Sequence, residues 1–304
     1  MSRAAAVASL VSGAARAGAT SEGEAVDEAD LLAGLRARAA SYPTRWPVRR
    51  VGYGPIEDQF GYLRAPAPGA AAVPVVVLVH GGYWRARWRL DLMEALACEF
   101  EQRSVATWNI EYRRAEDFGW DAMTADVGAA VAALVRLAGT APLDLERVVL
   151  LGHSAGAQLA LRAAADLVAT GMWPRPALVV SLAGVVDLVG AQLRDLGNGA
   201  ARAALGGTAQ QQPDRYARSS PLARLPLGVP QLVVTADADD PDLNDLHRAY
   251  AAAARAAGDE VVSIEGPGGH FAVIDPASEI CGRCISDALG FISHRSVRGG
   301  LEQP

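Results

Sequence analysis

Hydrophobic positions along the chain fall into two alternating rhythms. Val75–Val79, Val105–Ile110, Val148–Leu151, Leu178–Leu182, Leu232–Thr235 and Val261–Ile264 are short, near-continuous apolar runs, the pattern of strands covered on both faces. Between them, helical periodicity runs over Leu90–Gln102, Ala122–Leu137, Ala157–Val168, Leu243–Ala257 and Ser278–Ile292, and Gly258 supplies a helix stop. The alternation predicts an α/β fold, a doubly wound and mostly parallel sheet with helices on both faces. Ahead of it, Val48–Tyr53 and Gln59–Leu63 flank Gly54-Pro55 and predict an antiparallel edge hairpin. Residues 185–230 break the rhythm with a Gly-, Gln-, Ala- and Pro-rich insertion, and long insertions of this kind in compact domains often form lids.

These patterns predict one domain over residues 44–296, with a disordered or weakly ordered tail at 1–43 and a C-terminal tail at 297–304. The first twenty residues contain no acid, which leaves an organellar transit peptide as an alternative reading of the start. No apolar run approaches the roughly 20 residues of a membrane helix.

Composition narrows the chemistry. Half of the 304 residues are apolar and a fifth charged, as in a globular chain. The basic residues, all Arg, are scattered and outnumbered, 28 against 34 acids. That balance predicts neither a nucleic-acid nor a membrane partner. Three cysteines are too few for a disulfide framework and fit a reducing cytoplasm. Cys281 and Cys284 form a lone C-x-x-C, read as structural thiols and not as a metal or redox pair. No cofactor is expected; a homodimer is compatible with the sequence.

The chemistry-bearing segment is Gly152-His153-Ser154-Ala155-Gly156, between the run Val148–Leu151 and an Ala/Leu-rich helix. The bare G-x-S-x-G pattern is common, but the strand-turn-helix context is specific. A nucleophile in so sharp a turn needs neighbours without side chains, and Gly152 and Gly156 meet that need. Ser154 would stand at the N-terminus of the following helix, whose partial charge suits an oxyanion. As a mere helix N-cap, the alternative role for Ser154, it would leave both glycines unexplained.

A serine needs a base, and the base an acid to orient it. Of five histidines, His270 lies in Glu265-Gly266-Pro267-Gly268-Gly269-His270-Phe271, directly after the last strand-like run. His294 falls near the end of the last helix and His247 within a helix, and His153 is expected to point away from Ser154 and pack. The loop after Leu232–Thr235 offers Asp237, Asp239, Asp240 and Asp242; Asp239 is preferred, with Asp240 its rival. His80-Gly81-Gly82-Tyr83-Trp84 follows Val75–Val79, where glycines let backbone amides approach a substrate closely. The expected oxyanion donors are the amides of Gly82, Tyr83 and Ala155. Tyr83, Trp84, Trp88 and Trp120 are candidates for an aromatic substrate pocket, Tyr83 and Trp84 foremost.

Together the segments His80–Trp84 and Gly152–Ala157 resemble those of kynurenine formamidase (arylformamidase) and its esterase relatives near the hormone-sensitive lipase branch of the α/β-hydrolases. Asp239-Asp240-Pro241-Asp242-Leu243 looks like that family's acid loop and supports Asp239. The resemblance, over about residues 51–292, implies a cofactor-free serine hydrolase cleaving an ester or N-formyl arylamide. Tyr83 stands where many lipase-like relatives carry a third glycine, which tilts the expectation toward the formamidase group. A general short-chain carboxylesterase is the alternative; a non-catalytic ligand-binding homologue is another, though such proteins usually lose a member of the Ser, His and Asp set.

Overall fold

In the computed structural model, residues 28–298 are described. An N-terminal helix α1 (Glu28–Ser41) precedes the hairpin of β1 (Val48–Gly52) and β2 (Phe60–Arg64). The expected tail over 1–43 is therefore helical in its last part, and the remainder of that tail, 1–27, lies outside the described residues together with 299–304. This helix is mostly Ala and Leu but has no broad buried stripe, and Leu35 is the one described residue it buries fully, against the helix after β3.

The chain continues through β3 (Val73–Val79), a 3-10 turn at Leu90–Met93, α2 (Glu94–Gln102) and β4 (Ala106–Ile110). Then come α3 (Ala115–Phe118), α4 (Trp120–Ala138), β5 (Leu143–His153), α5 (Ala155–Thr170) and β6 (Leu178–Leu182). The insertion forms α6 (Leu188–Leu193), α7 (Leu196–Leu205), α8 (Pro213–Ser219) and a 3-10 turn at Pro221–Arg224. The fold closes with β7 (Gln231–Ala236), α9 (Pro241–Ala256), β8 (Val261–Gly266) and α10 (Glu279–Arg298).

The eight strands form one sheet in the order β1-β2-β4-β3-β5-β6-β7-β8. β1 and β2 pair antiparallel, β2 joins β4 antiparallel, and the other neighbours run parallel. Alternation along each strand divides the core. Val75, Val77, Val148, Leu150 and Val233 face a cluster completed by α4, α5 and α9. Val76, Leu78, Val149, Leu151 and Val234 face another, filled by α1, α2 and α10. Apolar side chains on both faces explain why these strands read as unbroken runs. This is the α/β-hydrolase fold, with β5 near the centre and the ends of β3, β5, β7 and β8 opening toward one edge, where parallel sheets bind ligands.

All three cysteines are buried and free. Cys281 and Cys284 lie on the buried stripe of α10, and burial pushes both thiols up, Cys284 to about 12; they pack and are not activated. Among the described residues no helix is long and apolar enough to cross a membrane.

Candidate active site

The turn between β5 and α5 holds Ser154 at φ 53° and ψ −119°, a conformation that costs a non-glycine residue on the order of 1–3 kcal/mol. What holds it there is close backbone packing. A Cβ on Gly152 would stand 2.2 Å from the Gly156 carbonyl oxygen, and one on Gly156 2.2 Å from that of Val79. Both glycines are thus required by contact, and Gly156 lets α5 begin directly against the end of β3. The Ser154 amide donates to the Leu182 carbonyl at 2.8 Å, fixing the turn to β6. Its hydroxyl makes no capping bond to α5, so the N-cap role does not account for the residue. Ser154 faces a cleft of about 230 Å³ shared with His270, Gly82, Tyr83 and Trp88.

His270 sits in the loop after β8, about a fifth exposed, and its Nδ1 lies 2.7 Å from Asp239 Oδ2. Asp239 is nearly buried, and its other oxygen accepts the Asp240 amide at 2.7 Å. The remaining acids of that loop are engaged elsewhere. Asp240 caps α9 by accepting the amides of Asp242 and Leu243. Asp242 pairs with Arg194 at 2.7 Å, and Asp237 accepts the Gly268 amide at 3.2 Å, bracing the histidine loop. The carboxylate that meets the imidazole is therefore Asp239.

His153, expected to pack, is fully buried and does more. Its Nε2 donates to the His270 carbonyl at 3.1 Å, and the two rings lie 4.8 Å apart. Burial, with His270 alongside, holds its pKa well below the ordinary range. His247 on α9 lies behind the site, bridging Ser181 Oγ at 2.8 Å and Thr235 Oγ1 at 2.9 Å. Burial lowers its pKa to about 4. His294 lies within α10, outside the residues whose side chains are described.

The loop after β3 carries backbone strain on the wall of the same cleft. Gly82, Tyr83 and Trp84 have φ of 113°, 50° and 61°, and a Cβ on Gly82 would lie 2.4 Å from the Trp88 side chain. A buried hub holds this loop. His80 Nε2 lies 3.1 Å from Glu111 Oε1, its ring stacks on Tyr112, and Arg114 contacts the same carboxylate. Burial acts to raise the Glu111 carboxyl, but its contacts with His80 and Arg114 outweigh that and hold it down at about 2. The sequence offered no signal for this hub, because Glu111 is an isolated acid at a strand end.

Two aromatic assignments change. Trp84 does not line the cleft: it is 1% exposed, bonded through Nε1 to Gln158 and packed edge-on against Trp120 in the core. Its left-handed backbone turns the indole inward. The cleft wall is built instead by Tyr83, Trp88 and Phe271, together with Gly197 and Asn198 from the insertion. Tyr83 lies against Gly197 so closely that a Cβ there would stand 2.5 Å from its ring, which ties the insertion to the loop after β3. Among the described residues no group of three or more His, Cys, Asp or Glu is arranged to hold a metal.

The BD-FAE family model matches residues 63–244, more than half of the chain and from β2 into α9. The chain belongs to the BD-FAE family. The matched segment contains Ser154, Asp239 and the loop after β3, while His270 lies beyond it. No curated protein sequence matches the chain. Solved structures do resemble it. A bacterial heroin esterase superposes with a TM-score of 0.70 at 21% identity, covering 87% of this chain and 89% of that one. Esterase B from Lactobacillus Rhamnosis gives 0.73 at 19%, covering 90% and 95%. An esterase from Pyrobaculum calidifontis gives 0.69 at 21%, covering 88% and 91%. At such identities the likeness establishes that this BD-FAE family member shares their fold.

Proposed function

We propose that the protein is a serine hydrolase of compact carboxylic esters, working through an acyl-enzyme. The observation that carries the reading is the Asp239–His270 hydrogen bond at the edge of the cleft into which the strained Ser154 turn opens. Asp239 fixes the imidazole with Nδ1 protonated, leaving Nε2 as the base. His270 takes the Oγ proton while Ser154 attacks the carbonyl carbon. The amides of Gly82, Tyr83 and Ala155 receive the oxyanion, the last with the partial charge of the α5 N-terminus. His270 then protonates the leaving group, and a water activated by the same ring frees the acid. That the structural neighbours are esterases supports the reaction class by analogy.

A cleft of about 230 Å³ falls below the usual range for drug-sized ligands, roughly 300–1,000 Å³, and favours short acyl groups. A second reading, hydrolysis of an N-formyl arylamide, is favoured by Tyr83, Trp88 and Phe271 along the wall. The test is labelling with a fluorophosphonate, followed by turnover of p-nitrophenyl acetate, longer p-nitrophenyl esters and N-formylkynurenine by the parent and by Ser154→Ala. Labelling and turnover both lost in Ser154→Ala are expected. Turnover that survives the substitution would defeat the proposal.

A further inference from the structure

Among the described residues, arginine side chains reach the cleft wall. Among the described residues, the ionisable side chains lining it at neutral pH besides the histidines are Arg85 and Arg87, and no carboxylate is among the lining residues. Asp239 stands behind the imidazole with both oxygens occupied. Arg85 is half-buried, on the wall formed by the loop after β3. Its Nη2 donates to the Gly197 carbonyl at 2.9 Å, and its guanidinium lies 5.9 Å from the centre of the Tyr83 ring. Among the described residues it has no carboxylate partner within 4.0 Å, although the chain carries more acids than bases. A neutral carbonyl and an aromatic ring orient a guanidinium but do not neutralise it. A guanidinium with no carboxylate in contact keeps its capacity to pair with an anionic ligand.

The two contacts also preorganise the group. Gly197, Asn198 and Gly199 all have φ between 55° and 71°, a left-handed turn that aims the Gly197 carbonyl at Arg85. With Nη2 held by the Gly197 carbonyl, Nε and Nη1 remain as donors of a planar fork that suits a carboxylate, on a residue that lines the cleft.

We propose that Arg85 makes this cleft selective for esters or amides carrying an ionised carboxylate besides the scissile group, an inference that rests on the serine-hydrolase reading for its chemistry. Arg85 is a specificity determinant that touches substrate and takes no part in proton transfer. The carboxylate can belong to the acyl part or to the leaving group, and both sources present the same anion to the guanidinium.

The experiment compares matched pairs of substrates differing in that charge. p-Nitrophenyl hemisuccinate against p-nitrophenyl methyl succinate reports an acyl-side anion; 4-acetoxybenzoate against methyl 4-acetoxybenzoate reports one on the leaving group. The ratio of kcat/KM within a pair is read for the parent, Arg85→Gln and Arg85→Lys. Gln keeps a donor for the Gly197 carbonyl but no charge, and a ratio within one protein cancels any loss of folded enzyme. The parent is expected to prefer the anion by about tenfold in at least one pair. Arg85→Gln should abolish that preference, Arg85→Lys should restore part of it, and added salt should weaken it. Calorimetric binding of monomethyl succinate against dimethyl succinate is measured in parallel. Anion-selective binding lost in Arg85→Gln supports the proposal even if no ester is cleaved, in which case only the hydrolase reading fails. Ester cleavage with equal ratios in parent and Arg85→Gln overturns the anion site and leaves the hydrolase reading standing. Absence of both cleavage and anion-selective binding overturns both.

Discussion

Asp239 divides its carboxylate between two partners, giving Oδ2 to His270 Nδ1 and Oδ1 to the amide of Asp240, each at 2.7 Å. The bond to the amide sets the rotation of the carboxylate, so that its other oxygen meets the imidazole. Asp240, one residue on, spends its own side chain on the first turn of α9.

The neighbouring aspartates should therefore fail in different ways. Asp239→Asn is expected to lower kcat by about 10³- to 10⁴-fold with the fold intact, because an amide disturbs the imidazole tautomer. Asp240→Asn should keep most of the cap, and Asp240→Ala should cost about 1 kcal/mol of stability with turnover near that of the parent. Steady-state kinetics and urea unfolding of the three variants check this, and an Asp240→Ala defect as deep as that of Asp239→Asn would reverse the assignment.

The strand runs were legible because the sheet is covered on both faces, so each core strand is apolar along its length. The order of Ser154, Asp239 and His270 was legible for a similar local reason, since each follows directly on a strand. Between Asp239 and Asp240 the residues alone left a preference with a rival, because a helix cap and a buried partner for histidine call for the same residue type, and the resemblance to the family's acid loop added the support for Asp239. Not legible was α1, whose Ala- and Arg-rich sequence lacks a broad apolar stripe and buries Leu35 through tertiary packing. Trp84 misled for the opposite reason: adjacency to the cleft loop suggested exposure, while a positive φ sends its ring into the core.

Gly152 and Gly156 are matched to backbone atoms that have nowhere to move. Alanine at either position is expected to destabilise the fold by about 3 kcal/mol, the upper part of the overpacking range, seen as a lower denaturant midpoint. Alanine at the open position Gly128, where no atom lies within 4 Å of a Cβ, should be neutral to stabilising within a helix. Equal effects at Gly128 and Gly156 would contradict the contact argument.

Acid sensitivity should begin above the carboxylate range. The pKa of His247 is about 4 in the fold against 6.5 for the free side chain, so below pH 6.5 the unfolded chain binds a proton that the folded one refuses. Stability attributable to this histidine is fully present above pH 6.5 and declines as pH falls toward 4, by about 3 kcal/mol in total. His153 acts in the same direction. Glu111, held down at about 2, contributes stability above pH 4.5 that is lost only as pH falls from there toward 2. Urea titrations at pH 7.5 and 4.5 should show a smaller decline for His247→Gln than for the parent, whatever the variant's stability at neutral pH. An unchanged decline would assign the acid sensitivity to other groups.

Glu111 also reaches the chemistry indirectly, through His80 and the loop after β3. Glu111→Gln keeps the shape but removes the charge that Arg114 and Arg89 share. We expect kcat to fall on the order of ten- to a hundredfold, as for small displacements of positioning groups, with fluorophosphonate labelling slowed and KM for a short ester little changed. A rise in KM alone would place the hub's effect on binding.

His153 gives Ser154 and His270 a common reference frame. It is the residue immediately before Ser154, and through its ring it holds the main chain of His270, 117 residues further on. Breathing of β7 or β8 at the end of the sheet must therefore carry the base loop against a tether fixed at the nucleophile's own turn. The spacing of Ser154 and His270 is set across a single imidazole and not summed over the errors of three intervening strands.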